Sequence, residues 1–183
     1  PEGLFVSTND GASWVKTANT TSAVGLVDGD AGVFLTDFST AIYRWTSSGW
    51  VAATSPVDGE SFDLLVAGDT LYVASTWSEV VYASTDKGAT WTEMGEGVGR
   101  LHFVEDGALY GGDGFGYAIR RSDDGGATWT QTGNLTDQQG ELLTVDGTWY
   151  IKRQTNGVEM STDQGATWTD ASDGLPPGSG RQL

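Results

Sequence analysis

Apolar positions come in short bursts along this chain. Stretches such as Leu4-Phe5-Val6, Phe62 to Ala67 and Leu101 to Val104 give way at once to Gly, Asp, Ser or Thr. Short runs rich in Val, Leu, Tyr and Trp predict strands, and no stretch repeats apolar residues at helical spacing over three turns. The bursts are themselves ordered. One set ends on Val27, Val66, Val104 and Val145, and the next carries Phe34, Tyr72, Tyr110 and Tyr150. Between them lie Asp28-Gly29, Gly68-Asp69, Asp106-Gly107 and Asp146-Gly147, pairs suited to the positive φ of tight hairpins.

A polar signature closes each unit. Ser7-Thr-Asn-Asp-Gly-Ala-Ser-Trp14, Ser84-Thr-Asp-Lys-Gly-Ala-Thr-Trp91, Ser122-Asp-Asp-Gly-Gly-Ala-Thr-Trp129 and Ser161-Thr-Asp-Gln-Gly-Ala-Thr-Trp168 are near copies. A shortened fifth copy, Tyr43 to Trp50, lacks the Asp. The closing tryptophans (14, 50, 91, 129, 168) step by 36, 41, 38 and 39 residues. A period near 39 with four strand-length runs predicts antiparallel strands A to D in each unit, the size of one propeller blade. The signature spans the C–D hairpin. Its carboxylate (Asp86, Asp124, Asp163) is placed to accept from turn N–H groups. Its glycine (Gly11, Gly88, Gly126, Gly165) takes a conformation closed to other residues, and the Trp folds back under the turn. Asn9 stands for the Asp in the first copy, so that turn and the shortened one are expected to be less firmly pinned.

The phase predicts an all-β single domain over 1–183. A C–D hairpin at 3–17 is followed by blades at about 21–54, 60–94, 99–132 and 140–170 and a tail at 171–183. Arg181-Gln-Leu183 resembles the opening of the third full blade at Gly99-Arg-Leu101. About five blades are expected, with an incomplete last one. Two arrangements stay open: a self-closed five-bladed ring, or a piece of a larger propeller completed from elsewhere. An unpaired blade edge invites self-association.

Composition narrows the function. Nine Lys and Arg against 25 Asp and Glu give a charge of −16, which repels phosphate backbones and anionic lipid; neither nucleic acid nor membrane is an expected partner. There is no cysteine and one histidine, so disulfides, thiolate chemistry and Cys-ligated zinc are excluded, and a Ser-His-Asp triad is unsupported. No Asp-x-Asp-x-Asp-Gly loop is present, and no metal is expected. The high Gly, Ser and Thr content with three lysines leans towards an extracellular or cell-surface protein.

The signature resembles the Asp-box, or BNR, repeat of sialidases, xyloglucanases, sortilin-type receptors and photosystem II assembly factors. That resemblance implies a propeller but not an activity, because the family spans hydrolases, receptors and scaffolds. It also implies that the Asp boxes (Ser7, Asn9, Gly11, Trp14; Ser84, Asp86, Gly88, Trp91; Ser122, Asp124, Gly126, Trp129; Ser161, Asp163, Gly165, Trp168) are structural. They sit on the face opposite the B–C and D–A loops. In those loops Phe38, Trp77 and Phe115 recur beside Glu79 and Asp113, an aromatic face with acceptors such as a sugar ring requires. The bland alternative is that these aromatics cover gaps between blades. Strand A lines the channel with Ser22, Asp63, His102, Glu105, Glu141 and Thr144. Asp63 and Glu141 are a conceivable hydrolytic pair, set against a reading as solvated channel residues. His102 is expected to be a hydrogen-bonded filler. No arginine cluster of sialidase type is present. The expected function is non-catalytic recognition of a glycan or protein through B–C and D–A loops, with no cofactor. The rival is part of a sialidase-like or other glycoside hydrolase propeller.

Overall fold

The computed structural model describes residues 4–18, 23–37, 41–114, 117–135, 142–152 and 157–175. All regular elements are strands. The first sheet is a hairpin of β1 (Leu4–Val6) and β2 (Val15–Ala18). Four meanders follow, each four strands in sequence order. They are β3 (Ala23–Gly29), β4 (Gly32–Asp37), β5 (Ile42–Thr46), β6 (Gly49–Ala53); then β7 (Phe62–Ala67), β8 (Thr70–Ser75), β9 (Val80–Ser84), β10 (Thr92–Glu96). Next come β11 (Arg100–Glu105), β12 (Ala108–Gly112), β13 (Ala118–Ser122), β14 (Thr130–Asn134); and β15 (Leu142–Val145), β16 (Thr148–Lys152), β17 (Val158–Ser161), β18 (Thr169–Asp170). β3, β7, β11 and β15 lie side by side in that order, as the inner strands of successive propeller blades.

The core is three seams between consecutive blades. Phe34 and Ile42 of one blade meet Leu71 and Val73 of the next. Ala74 and Val81 meet Val98 and Leu101. Tyr110 and Ile119 meet Leu142, Trp149 and Ile151. In the last seam Trp149 stands edge-on to Tyr110, with centroids 4.8 Å apart, and to Phe103 at 5.2 Å. Each blade is thus apolar on both faces.

Two local expectations are corrected. Asp28-Gly29 is not a turn: both residues belong to β3, and the turn is Asp30-Ala31. Tertiary packing decides this. Ala31 N–H donates to the Gly68 carbonyl of the neighbouring turn at 3.1 Å, and a Cβ at Gly29 would lie 2.5 Å from Val66. The other expected turns hold Gly68, Asp106-Gly107 and Asp146-Gly147 at positive φ. The first signature turn is not loosely pinned either. Asn9 Oδ1 accepts from Ser7 Oγ (3.0 Å) and Ser13 N (2.9 Å), as its Asp counterparts do, while its Nδ2 donates to Ser13 Oγ at 2.8 Å. The shortened copy is held differently, by Thr46 Oγ1 donating to the Gly49 carbonyl at 2.7 Å.

In the three full signatures the carboxylate is saturated. Asp86 Oδ1 accepts from Ser84 Oγ (2.8 Å) and Thr90 N (2.8 Å), and Oδ2 accepts from Thr90 Oγ1 (2.6 Å). Asp124 and Asp163 repeat this with Thr128 and Thr167. The threonine bonds, chiefly the hydroxyl's, hold each of the three carboxyls down at about 2. The tryptophans do more than cover their own turn. Trp91 Nε1 donates to Thr54 O and Trp168 Nε1 to Asn134 O, each at 2.9 Å, stitching a blade to the end of the one before.

Candidate functional site

The best-built surface on the B–C and D–A side is the joint between the second and third full blades. The B–C turn after β8 is closed by Glu79 N–H donating to Ser75 O at 3.0 Å, and Thr76 N–H ties it to Ser61 O at 2.9 Å. Two glycines let neighbouring loops close on it. A Cβ at Gly114 would lie 2.1 Å from Thr76 O, and one at Gly99 would meet both Gly114 Cα and Thr76 O. Only residues without side chains permit three backbones to approach so closely. Glu79 completes the joint: its Oε1 accepts from Gly114 N at 3.1 Å and its carbonyl from Gly97 N at 2.8 Å. Arg120 reaches across from β13, Nη1 donating to Gly97 O at 2.6 Å.

Two aromatic side chains stand out from this joint. Trp77 is 64% exposed and Tyr117, in the next B–C loop, is 48% exposed. Asp113 Oδ1 accepts from Tyr117 N at 3.2 Å and so holds the tyrosine's backbone. Thus Trp77, Glu79 and Asp113 fall in adjoining loops, with both carboxylates engaged by backbone N–H groups. Phe38 and Phe115 lie outside the described residues. Tyr117 escaped the sequence reading because the box spacing of 38 residues pointed from Trp77 to Phe115, two positions earlier. Its proximity to the start of β13 was the available signal.

Two channel carboxylates are engaged by neighbouring groups. Asp63 Oδ2 accepts from Leu101 N at 3.3 Å and lies 3.8 Å from Arg100 Nε. Burial pushes its carboxyl up, against the opposing pull of Arg100. Glu105 accepts from Thr144 Oγ1 (2.6 Å) and Trp149 Nε1 (3.1 Å). Ser22 and Glu141 lie outside the described residues. His102 departs from expectation. Its Nε2 is buried without a hydrogen-bond partner, and burial, helped by Arg100, lowers its imidazole to about 4. It is a neutral filler whose Nε2 makes no hydrogen bond. Among the described residues no three acidic or imidazole groups come together to hold a metal ion, and no helix is long and apolar enough to cross a membrane.

The family model described as the DUF6242 beta propeller domain matches residues 23–148, more than half of the chain. The chain belongs to this family. The DUF6242 propeller has no match among curated proteins. Its fold is similar to that of solved propellers. The GH74 enzyme of Niastella koreensis superposes with a TM-score of 0.62 and 23% identity, over 84% of this chain and 25% of that one. A chain of the nidogen/laminin complex gives 0.67 and 15%, over 85% and 67%. YCF48 bound to a D1 peptide gives 0.60 and 13%, over 83% and 55%. The DUF6242 propeller therefore spans a quarter of the GH74 enzyme and about half of YCF48. These neighbours include enzymes and binding proteins, so the likeness is one of fold.

Proposed function

We propose that this DUF6242 propeller is a non-catalytic recognition module that engages a carbohydrate or protein through its B–C and D–A loops. One observation carries the reading: Trp77 and Tyr117 are exposed on adjoining loops that backbone packing and the Glu79–Gly114 bond lock together. Aromatic faces held on a rigid joint bind a sugar ring or an apolar peptide side chain without first being ordered. Of the conceivable hydrolytic pair, Asp63 is already engaged by the Leu101 N–H and Arg100, which favours recognition over hydrolysis. The signature turns are read as Asp boxes, with a structural role, and the module as extracellular or at the cell surface. The two neighbours whose titles name a peptide and laminin support a protein ligand as readily as a glycan.

A glycan array and a peptide-display panel, each run with wild type and Trp77→Ala, test this. Binding by wild type that Trp77→Ala and Tyr117→Ala each weaken at least tenfold, with unchanged melting, supports the joint as the site. Hydrolysis of a sialoside or of xyloglucan by the purified chain would sink the non-catalytic reading.

A further inference from the structure

On the side of the signature turns, a pocket of about 260 Å³ opens between β5 and β6 of the first full blade and the signature turn of the second. Its walls include Arg44, Val51, Ala53, Asp86, Lys87 and Ala89. Strand pairing sets the near wall. Ile42 lies opposite Ala53 and Arg44 opposite Val51, so all four share the face that Ile42 buries against Leu71 and Val73 of the next blade. Ile42 is fully buried there, whereas Val51 is 47% exposed and Arg44 half-buried. The far wall is the turn itself, where Lys87 is exposed at a φ of 62°.

The charges here are unlike those of the other seams. Arg44 pairs with Phe34, Ala83 with Tyr72 and Arg121 with Tyr110, so these three positions are equivalent. Lys87, Gly125 and Gln164 are likewise equivalent within the signatures. The second seam thus has no cation at either position. At the third, Arg121 is neutralised: its Nε and Nη2 donate to Asp123 Oδ1 at 3.0 and 2.6 Å. Two residues on from Arg44 stands Thr46, whose hydroxyl donates to the Gly49 carbonyl instead. Among the described residues neither Arg44 nor Lys87 has an ion pair or a side-chain hydrogen bond. Asp86, the acid in the lining, is bonded to Ser84 and Thr90 within its own turn.

We propose that this pocket binds a small aliphatic monocarboxylate, its carboxylate on the Arg44 guanidinium beside the Lys87 ammonium and its carbon body against Val51, Ala53 and Ala89. Charge, shape and size select that class. Arg44 and Lys87 against Asp86 leave a single positive charge, which one negative charge balances. The planar guanidinium presents paired N–H donors that match the two oxygens of a carboxylate. The aliphatic lining accepts a short carbon chain and offers no aromatic platform for a sugar ring. The volume lies below the roughly 300–1,000 Å³ of pockets for drug-sized ligands, so the ligand is small. A chain of charge −16 repels polyanions, whereas a small acid brings one charge only. The pocket is separate from the Trp77 joint, which lies at the B–C end of the strands.

The test titrates sodium propionate into the whole isotope-labelled chain at constant ionic strength, followed by amide NMR. The expected result is a saturable, one-site perturbation of the Val51, Ala53, Lys87 and Ala89 signals. Propionamide, the same body without the charge, should cause none. Arg44→Gln should weaken binding about tenfold, the worth of one charge-assisted bond. Lys87→Gln, which copies Gln164 of the third seam, should weaken it by a smaller factor. Neither change should lower the melting temperature, since neither side chain is bonded in the free protein. Should Arg44→Gln fail to fold, Arg44→Lys keeps the charge without the paired donors and should also weaken binding. Trp77→Ala should leave the propionate titration unchanged, so this outcome is independent of the recognition reading. Shifts that rise without saturating, or that sodium chloride reproduces, overturn the proposal. Equal binding of propionamide, or wild-type affinity in the Arg44 variant, overturns it too. Tighter binding of inorganic phosphate does the same, because the pocket would then be a general anion site.

Discussion

Gly133 lies flat against the backbone of Gly165 in the following blade; a Cβ at 133 would fall 2.3 Å from the Gly165 carbonyl oxygen. Gly95 meets the Ala127 carbonyl at the same distance. At the matching position, four residues after Trp50, stands Thr54. Its N–H and hydroxyl donate to the Gly88 carbonyl at 2.9 and 2.7 Å. Two seams close by removing a side chain and one by bonding through it.

This difference predicts that alanine destabilises the seams for different reasons and to different extents. Gly95→Ala and Gly133→Ala force backbone apart and should each cost about 1–3 kcal/mol. Thr54→Ala keeps its N–H bond, loses the hydroxyl's, and should cost about 1 kcal/mol. Urea unfolding at neutral pH measures all three, and a neutral Gly133→Ala would disprove the close packing.

The signature carboxylates set an acid limit. Asp86, Asp124 and Asp163 titrate near 2 in the fold, below the ordinary value of 3.8. The unfolded chain therefore takes up these protons first. Their contribution is whole above about pH 4 and disappears as pH falls towards 2. Replacing all three by Asn, which Asn9 shows can make the same turn, should leave the fold intact at pH 7 and flatten the melting temperature between pH 4 and 2. An unchanged acid slope would mean that these turns do not govern it.

His102 acts over a separate window. Its imidazole is lowered from 6.5 to about 4, so between those values the unfolded state binds a proton that the fold refuses. Stability should decline as pH drops from 6.5 to 4. His102→Phe should remove that slope while leaving the lower one at pH 4 to 2. NMR titration of the single imidazole checks the assignment directly, and a normal value near 6.5 contradicts it.

Trp149 is the largest fully buried side chain and also bonds Glu105 through Nε1. Trp149→Ala should cost about 3–5 kcal/mol from the cavity in the last seam. Trp149→Phe should cost less and leave Glu105 its Thr144 bond. Denaturant midpoints order the three proteins; equal losses for Phe and Ala would place the whole effect in the indole N–H.

Much of this was legible from residue order because it is local. The Ser, Asp and Thr side chains of the three full signatures bond within a few positions of one another, so spacing alone foretells the turn. The alternation of apolar runs likewise foretells meanders. Other features depend on neighbours distant in the chain. The shift of the first inner turn from Asp28-Gly29 to Asp30-Ala31 arises from Val66 and Gly68, some 37 residues away. Glu79, a candidate ligand group by composition, proves to fasten the next loop through Gly114. Tyr117 is exposed in the loop after β12, tied by its N–H to Asp113, a position that a fixed period does not carry.

The sequence by itself determined the repeat, the four-stranded unit and the chemistry of its closing turn, since each rests on bonds and faces within one period. Only the tertiary structure decided which aromatics project and which carboxylates are already bound. Those depend on how blades meet, and a backbone contact such as Gly114 on Thr76 leaves no periodic trace.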